Sequence, residues 1–299
     1  MSAEKTRAIV IRLVEFSESS YVATLFTEDF GKITGLAKGA RRQKSAFENA
    51  LDLLAVSRVV FLRKSSEGMD LLTEAKLERR FRASSRDLRR LYAGYYVAEL
   101  LQVLTDERDP HGTLFRHALR AIEQLDGSGN VQEEMLRFEL AALRELGHQP
   151  ILDRCVECGR DIDFGTAAKR KRVAFGQLAG GALCERCRPG QRHVISLSSG
   201  AVQQMQRLAE SGEYTESQDE TESIAPVVID HERITPASGD RSRLVAGGDV
   251  PETTPPISPA EAAARKAASG ELRGMMNNVI SHRIGRRPRM YPFLARMQV

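Results

Sequence analysis

The sequence lacks any apolar run long enough to cross a membrane. Its longest stretch without a charged residue extends from His193 to Gln206 and is interrupted by Ser and Gln, whereas a membrane helix needs roughly 18 or more consecutive apolar residues. The N-terminus, MSAEKTRAIVIRL, also lacks the apolar segment and small-residue cleavage site of an export signal. We therefore expect a cytoplasmic globular protein.

Other absences concern composition and catalytic motifs. Tryptophan is absent, aromatic residues make up 6% of the 299 residues, and there are only four cysteines. Leu, Ile, Val and Phe are nevertheless too common for a wholly disordered chain. No G-x-x-x-x-G-K-[ST], G-x-S-x-G or H-E-x-x-H motif occurs, and the six histidines form no acid–base pattern. These absences favour a protein that is not an enzyme.

Residues 6–78 carry the patterns of short β-strands. Roughly alternating apolar positions occur at 6–14, 21–27, 32–38, 55–62 and 69–75, with polar turns at several of the breaks between them. No helical pattern longer than one turn interrupts them, so the sequence predicts a small closed barrel. A five-stranded OB-fold is the natural candidate, although counting strands does not separate it from an SH3-like barrel.

After residue 84 the apolar residues recur at helical spacing. Ser84 or Ser85 is a candidate N-cap for a first helix, and Gly147 is a candidate C′ glycine for a third. Helices are also expected over 198–210 and 261–284, the last docking back onto the helical body. This is an α+β multidomain organisation. Its predicted parts are an OB-fold nucleic-acid-binding domain at 1–80, the first part of a helical domain at 81–150, a four-cysteine zinc module at 151–195, a helix at 196–211, an acidic disordered insert at 212–259 and a C-terminal helix completing the helical domain at 260–299.

The predicted insert is rich in Ser, Thr, Pro, Glu and Asp and poor in large apolar residues. It also explains why the net charge is only +4. Residues 210–261 hold 12 acids and 3 bases, a charge of −9, and the remainder holds 41 bases and 28 acids, a charge of +13. A polyanion would therefore meet a basic body.

The four cysteines form two C-x-x-C pairs, Cys155/Cys158 and Cys184/Cys187. The two-residue gap lets both thiolates of a pair face one metal ion, and two pairs complete a tetrahedral site. Zinc suits such a site, and one structural Zn²⁺ per chain is expected because four thiolates leave no position for a catalytic water. Thioredoxin-like redox pairs are the alternative. His193, just beyond the second pair, is interpreted as an ordinary surface residue.

The densest basic segment lies between residues 32 and 47, which include no acid. Loops of an OB barrel can contact phosphates beside a surface that stacks bases. We therefore predict DNA binding there, without sequence preference because no base-reading helix pattern stands out; a solvated turn is the alternative. The predicted DNA-binding residues are Lys32, Lys38, Arg41, Arg42 and Lys44.

Aromatic residues near this segment have two possible roles. Tyr21, Phe26, Phe30 and Phe47 could stack bases or fill the barrel core, and the core is the favoured role for Phe26. Further basic segments occur at 76–90, 169–172 and 283–296; the first of these could equally be a solvated helix face.

Three motifs resemble the bacterial RecO family. GKITGLAKGARR at residues 31–42 is similar to the family's N-terminal signature, an OB-fold hairpin with its basic loop. GGALC at 180–184 resembles the run before the family's second cysteine knuckle, and HRIGRR at 282–287 resembles its last helix. The order of the modules is similar along nearly the whole chain. The acidic insert and residues 288–292 depart from the family pattern.

The resemblance implies a DNA repair and recombination mediator and not an enzyme. It implies binding of single- and double-stranded DNA without strong sequence preference, and annealing of complementary strands. The implied protein partners are RecR, RecF and the single-strand DNA-binding protein, whose acidic tail such proteins bind while RecA is loaded onto coated strands. The implied location is the nucleoid in the cytoplasm, with no membrane partner.

The alternative is a zinc-ribbon adaptor that acts in transcription or repair through protein–protein contacts of its acidic insert. Removal of residues 212–259 separates the two hypotheses, because an adaptor would lose its partner whereas a mediator would keep DNA binding.

Overall fold

The computed structural model of the protein describes residues 2–47, 49–64, 68–83, 87–164, 172–210 and 259–296. The first five strands are β1 (Ala3–Ser17), β2 (Ser20–Thr27), β3 (Gly31–Ala37), β4 (Val56–Leu62) and β5 (Asp70–Arg79). They form a closed barrel in the order β1-β2-β3-β5-β4, with β4 also paired to β1 and with β3 parallel to β5. This crossed strand order confirms the predicted OB-fold and excludes the SH3-like alternative.

Because side chains alternate between the two faces of a strand, the barrel has one apolar surface facing its interior and another facing the helices. Val10 and Leu25 point into the barrel core, whereas Ile9, Ile11 and Phe26 belong to the core shared with the helices. The registers of β1 and β2 shift between Val10 and Arg12, so Ile11 is an extra residue on β1. Such a bulge re-aims the side chain it carries. The barrel and the helices are therefore packed through one continuous core.

In the described residues, six helices follow the barrel. They are α1 (Leu88–Leu104), α2 (Gly112–Asp126), α3 (Val131–Glu145), α4 (Ser199–Glu210), α5 (Pro259–Arg283) and α6 (Tyr291–Arg296). The N-cap of α1 is Asp87, whose side chain accepts the amide hydrogen of Arg89; the predicted caps Ser84 and Ser85 lie outside the described residues. Gly147 follows α3 with a φ of +73°, and its amide bonds the Arg144 carbonyl as in a Schellman cap.

Two residues at the start of β3 lie against the end of α1 and the segment that follows it. Gly31 has a φ of +67°, and a Cβ there would lie 2.0 Å from the carbonyl oxygen of Asp109. The Lys32 ammonium donates to the carbonyl oxygens of Gln102 (2.8 Å) and Thr105. A cation at the last turn of a helix offsets both its unpaired carbonyls and its dipole. We call this contact the barrel–helix seam.

A small second sheet carries the cysteine pairs. It has the order β7-β6-β8 and consists of β6 (Arg172–Gly176), β7 (Gly181–Leu183) and β8 (Val194–Ser198). Val173 and Phe175 face the core of the helical body, whereas Ala174 faces the cysteines. The cysteine module is therefore anchored to the main core by one face of this sheet.

A buried ion pair holds α5 against the earlier helices. Arg273 of α5 donates to both carboxylate oxygens of Glu139 on α3, at 2.9 and 3.1 Å. Tyr96 of α1 donates its hydroxyl hydrogen to the same carboxylate, and its ring lies 5.3 Å from the Arg273 guanidinium. Arg273 is 2% and Glu139 0% exposed. Burial raises the pKa of Glu139, although Arg273 opposes the rise.

The C-terminal segment packs on α1. The Glu99 carboxylate accepts the amide hydrogens of Arg289 (2.7 Å) and Met290 (2.9 Å) and pairs with Arg286 at 3.2 Å. Leu294 of α6 is buried in the helical core. Leu272 of α5 belongs to the same core.

Two expectations concern the rest of the chain. The predicted acidic insert, residues 212–259, lies outside the described residues except for Pro259, where α5 begins. In the part of the chain that the structure describes, no helix is both long enough and apolar enough to span a membrane.

Substitution of Arg273 is expected to destabilise the fold strongly. Arg273→Ala leaves the Glu139 carboxylate buried without its counterion, which typically costs about 3–5 kcal/mol in the free energy of unfolding. The double variant Glu139→Gln/Arg273→Met leaves no buried charge and should recover part of that loss. Urea unfolding followed by circular dichroism measures both. A double variant no more stable than Arg273→Ala would contradict this account.

His117 is expected to make the fold acid-sensitive. Burial, followed by the charges of Arg144, Arg120 and Arg116, lowers its pKa from 6.5 to about 4. Between these two pH values the unfolded chain binds a proton that the folded chain does not. The free energy of unfolding therefore falls as the pH is lowered from 6.5 to 4, by at most about 1.4 kcal/mol per pH unit.

Urea unfolding at pH 7, 5.5 and 4.5 tests this expectation. His117→Gln should show a shallower loss of stability than the unchanged protein, and the exposed His282→Gln should behave like the unchanged protein. Parallel pH profiles for the His117 variant and the unchanged protein would rule out His117 as the cause.

Candidate nucleic-acid interface and metal site

The structure brings the four cysteines together at one site. The Sγ atoms of Cys155, Cys158, Cys184 and Cys187 all lie within 4.8 Å of one another, and those of Cys158 and Cys184 are 3.7 Å apart. A tetrahedral ion with metal–sulfur bonds of about 2.3 Å separates its sulfurs by about 3.8 Å. The spacing therefore fits a four-thiolate metal site with no open position.

Backbone turns form the two knuckles. The Gly159 amide bonds the Cys155 carbonyl at 2.8 Å, and the Cys187 amide bonds the Cys184 carbonyl at 3.1 Å. Before the second knuckle, a Cβ on Gly181 would lie 2.4 Å from the Ile151 carbonyl oxygen. The second glycine of the GGALC motif is thus required by the close approach of two chain segments.

The pKa values of the thiols are shifted in opposite directions. Burial would raise the pKa of Cys155, but backbone amides of Cys184, Cys158 and Glu157 bond the sulfur, and the pKa falls to about 6. Hydrogen bonds to the Cys184 and Cys158 sulfurs raise the pKa of Cys187 to about 12. Four thiolates cannot share this space without a positive charge, and a bound dication would supply one.

The module has a very small core of its own. Its buried cluster consists of Cys155, Ala174 and Leu183. The metal would hold together the side of the sheet that faces away from the helices, whereas Phe175 on the other side belongs to the main core. His193 is exposed, in agreement with its interpretation as a surface residue.

Four of the five predicted DNA-binding residues are exposed in the loop that follows β3. They are Lys38, Arg41, Arg42 and Lys44, and we call them the basic loop. Its backbone is folded back on the β1–β2 hairpin, because the Arg41 amide bonds the Ser19 carbonyl at 3.1 Å. The loop therefore presents its cations at the end of the barrel where β1 turns into β2.

Lys32, the fifth predicted DNA-binding residue, lies apart from the basic loop. Its side chain is 9% exposed, and its ammonium is engaged by carbonyl oxygens at the barrel–helix seam. Lys32 carries the same charge as the loop residues, and only the tertiary contact with the end of α1 separates its role from theirs.

The predicted aromatic residues divide between core and surface. Phe26 and Phe47 are buried, which confirms the core role for Phe26. Phe30 packs edge-on against Phe61, with ring centroids 5.4 Å apart. Tyr21 is half-buried, and the Arg41 guanidinium lies 5.6 Å from the centre of its ring.

Many cations of the other basic segments are committed to intramolecular contacts. Arg79 pairs with Glu123 at 2.9 Å, and Arg80 pairs with Asp52 at 3.3 Å. Arg90 donates to the Leu125 carbonyl at the end of α2. In the tail, Arg286 is paired with Glu99. Residues 165–171, which include most of the basic segment at 169–172, lie outside the described residues.

Sequence reasoning did not single out Phe16. It is 59% exposed, more than any other large apolar side chain in the described residues. It lies in β1 immediately before the turn to β2. The sequence feature that could have indicated this exposure is the position of Phe16 directly before the polar turn Ser17-Glu18-Ser19-Ser20.

These features define a class of protein in which an OB-fold barrel with a basic loop is packed on a helical body, and a four-cysteine module is anchored to that body. Comparisons with known proteins agree with this architecture. Residues 1–81 match the family model described as Recombination protein O N terminal, and residues 85–222 match Recombination protein O C terminal. The chain belongs to the RecO family of DNA repair and recombination proteins.

Individual relatives extend this similarity over most of the chain. The chain is 41% identical over 287 residues to the DNA repair protein RecO of Rhodopirellula baltica, covering 96% of this chain and 97% of the relative. It is 32% identical over 212 residues to the RecO of Anaeromyxobacter dehalogenans, covering 71% and 81%. The RecO of Syntrophus aciditrophicus is 27% identical over 244 residues, covering 77% and 91%.

Removal of one thiolate is expected to abolish metal binding. Cys155→Ser replaces the buried ligand of the cluster, so metal content should fall well below one equivalent, and the module should become protease-sensitive because its own core is small. Elemental analysis and limited proteolysis measure these effects. The matched control is His193→Asn, since His193 has a φ of +55° that Asn tolerates. Equal metal content in the Cys155 variant and the control would contradict the four-cysteine site.

Proposed function

We propose that the protein is a recombination mediator that binds single- and double-stranded DNA without strong sequence preference through its basic loop. The observation that carries this proposal is the exposure of four cations, Lys38, Arg41, Arg42 and Lys44, at one end of the OB barrel. Contacts to phosphates provide affinity that does not depend on sequence. Membership of the RecO family supports the DNA repair role.

The same loop would promote annealing of complementary strands. Two strands repel each other as polyanions, and a protein surface that neutralises phosphates lowers this repulsion. In the cell, at the nucleoid, the protein would act with RecR and RecF to load RecA onto strands coated by the single-strand DNA-binding protein. This part of the proposal is drawn from the family.

A groove on the helical body suits the acidic tail of the single-strand DNA-binding protein. It has a volume of about 500 Å³ and lies between the starts of α1 and α3 and the helices α5 and α6. Arg89 and Lys266 provide positive charge at the groove, and Met135 and Leu294 provide apolar contacts. An acidic peptide with apolar residues could make both charged and apolar contacts in this groove.

We further propose that the cysteine site holds one structural Zn²⁺. Cys155, Cys158, Cys184 and Cys187 would be its ligands. Soft thiolates in a closed tetrahedral arrangement favour zinc and leave no position for a reacting water. The metal would stabilise the module and would take no part in a reaction.

Annealing assays with naked and protein-coated oligonucleotides test the proposed function. Lys38→Ala/Arg41→Ala/Arg42→Ala removes three cations of the basic loop, so single-strand affinity should fall and the slope of log affinity against log salt should shrink by about 2. Annealing of naked and coated strands should slow together. The charge-matched control Arg154→Ala/Arg188→Ala/Arg192→Ala removes exposed cations of the cysteine module and should have a smaller effect.

A second arm of the same assay separates the groove from the loop. Lys266→Glu reverses an exposed charge at the groove and should slow annealing only when the strands are coated. Equal losses for the loop variant and its charge-matched control would overturn the placement of the DNA site on the barrel. Equal slowing of naked and coated strands by Lys266→Glu would overturn the assignment of the groove.

A further inference from the structure

Phe16 lies at a bulge in β1. On either side of it, Glu15 pairs with Tyr21 and Ser17 pairs with Ser20, so Phe16 has no partner in the register of the hairpin. The other bulge of β1 carries Ile11, which is buried against the helices. Bulges are used to re-aim side chains next to functional sites. One bulge of this strand thus carries a buried residue and the other carries an exposed aromatic residue.

The basic loop reaches the residues on both sides of Phe16. Arg41 Nη1 lies 3.0 Å from the Glu15 carboxylate and 3.4 Å from the Ser17 carbonyl oxygen. The same guanidinium lies over the ring of Tyr21, the residue opposite Glu15. The exposed Phe16 is therefore flanked in sequence by two residues that Arg41 contacts. Val14, also on this part of β1, is 42% exposed.

We propose that Phe16 stacks on an unpaired base and so makes the barrel prefer single-stranded over duplex DNA; this inference rests on the proposed DNA binding by the basic loop. Cations of the loop attract the phosphates of either form of DNA. A protein aromatic ring can stack on a base only where the base is not already stacked in a duplex, and such stacking depends little on base identity. The loop would provide affinity, and Phe16 would provide the distinction between the two forms.

Removal of the ring should therefore affect one form of DNA. Phe16→Ala and Phe16→Leu should each weaken binding of oligo(dT) about tenfold and leave the affinity for a duplex of the same length unchanged. Leu keeps an apolar side chain but lacks the flat ring face. Fluorescence anisotropy at fixed salt measures both affinities. Because Phe16 is exposed, the variants should unfold at the same temperature as the unchanged protein.

The absence of tryptophan provides a direct readout of stacking. Phe16→Trp creates the only tryptophan of the chain, and its fluorescence should be quenched when oligo(dT) binds but not when duplex binds. The matched control is Leu178→Trp, at a side chain that is 52% exposed in the turn between β6 and β7. This control should keep its fluorescence with either form of DNA.

Three outcomes would overturn the role of Phe16. They are unquenched Phe16→Trp fluorescence at saturation with oligo(dT), equal weakening of single-strand and duplex binding by Phe16→Ala, and unchanged binding of both.

The variant Lys38→Ala/Arg42→Ala tests the loop separately, because it leaves Arg41 in place beside Phe16. If this variant binds both forms of DNA as well as the unchanged protein does, the proposed DNA binding by the loop fails. If it weakens both forms while Phe16→Ala weakens neither, only the role of Phe16 fails.

Discussion

The helical body depends on the ion pair between Arg273 and Glu139. The first half of α5, residues 259–270, has a poorly defined apolar surface, because it consists largely of Ala, with Gly and Ser. A small-residue surface can pack in several rotations, whereas a bidentate bond between a guanidinium and a carboxylate allows only one. The Tyr96 hydroxyl adds a third helix to the same carboxylate. A buried pair adds little net stability compared with apolar residues, so its main effect here is to fix the position and rotation of α5.

The barrel–helix seam determines which cations are available to a partner. Lys32 and the basic loop belong to one continuous basic segment, but the Lys32 ammonium is bonded to carbonyl oxygens at the end of α1. The close approach of Asp109 to Gly31 fixes the start of β3 against the helical body. The loop at the other end of the same strand is therefore displayed on a scaffold with a defined orientation. The GKITGLAKGARR motif thus combines a structural first part with an exposed second part.

Local patterns predicted the elements well. The five strands, the long helices and the four-cysteine cluster follow from periodicity and spacing, because those depend on neighbours in sequence. The short strands β6 to β8 were missed, since three to five residues carry no clear period. Lys32 and Phe16 could not be assigned from sequence, because a helix end from a distant segment buries one and a register shift exposes the other. Local sequence patterns therefore did not predict those residue roles that depend on tertiary contacts.

The ion pair of α5 also orders events during synthesis of the chain. Tyr96 and Glu139 are 43 residues apart, but Glu139 and Arg273 are 134 residues apart. The ribosome therefore exposes the barrel and the first three helices well before the counterion of Glu139 exists. Until then the Glu139 carboxylate lacks its counterion in the incomplete core of the helical body. The apolar residues that pack around Leu272 also stay uncovered. Long-range closure of this kind is slow and leaves aggregation-prone surface exposed, so maturation of the helical body is complete only when the last helix leaves the ribosome.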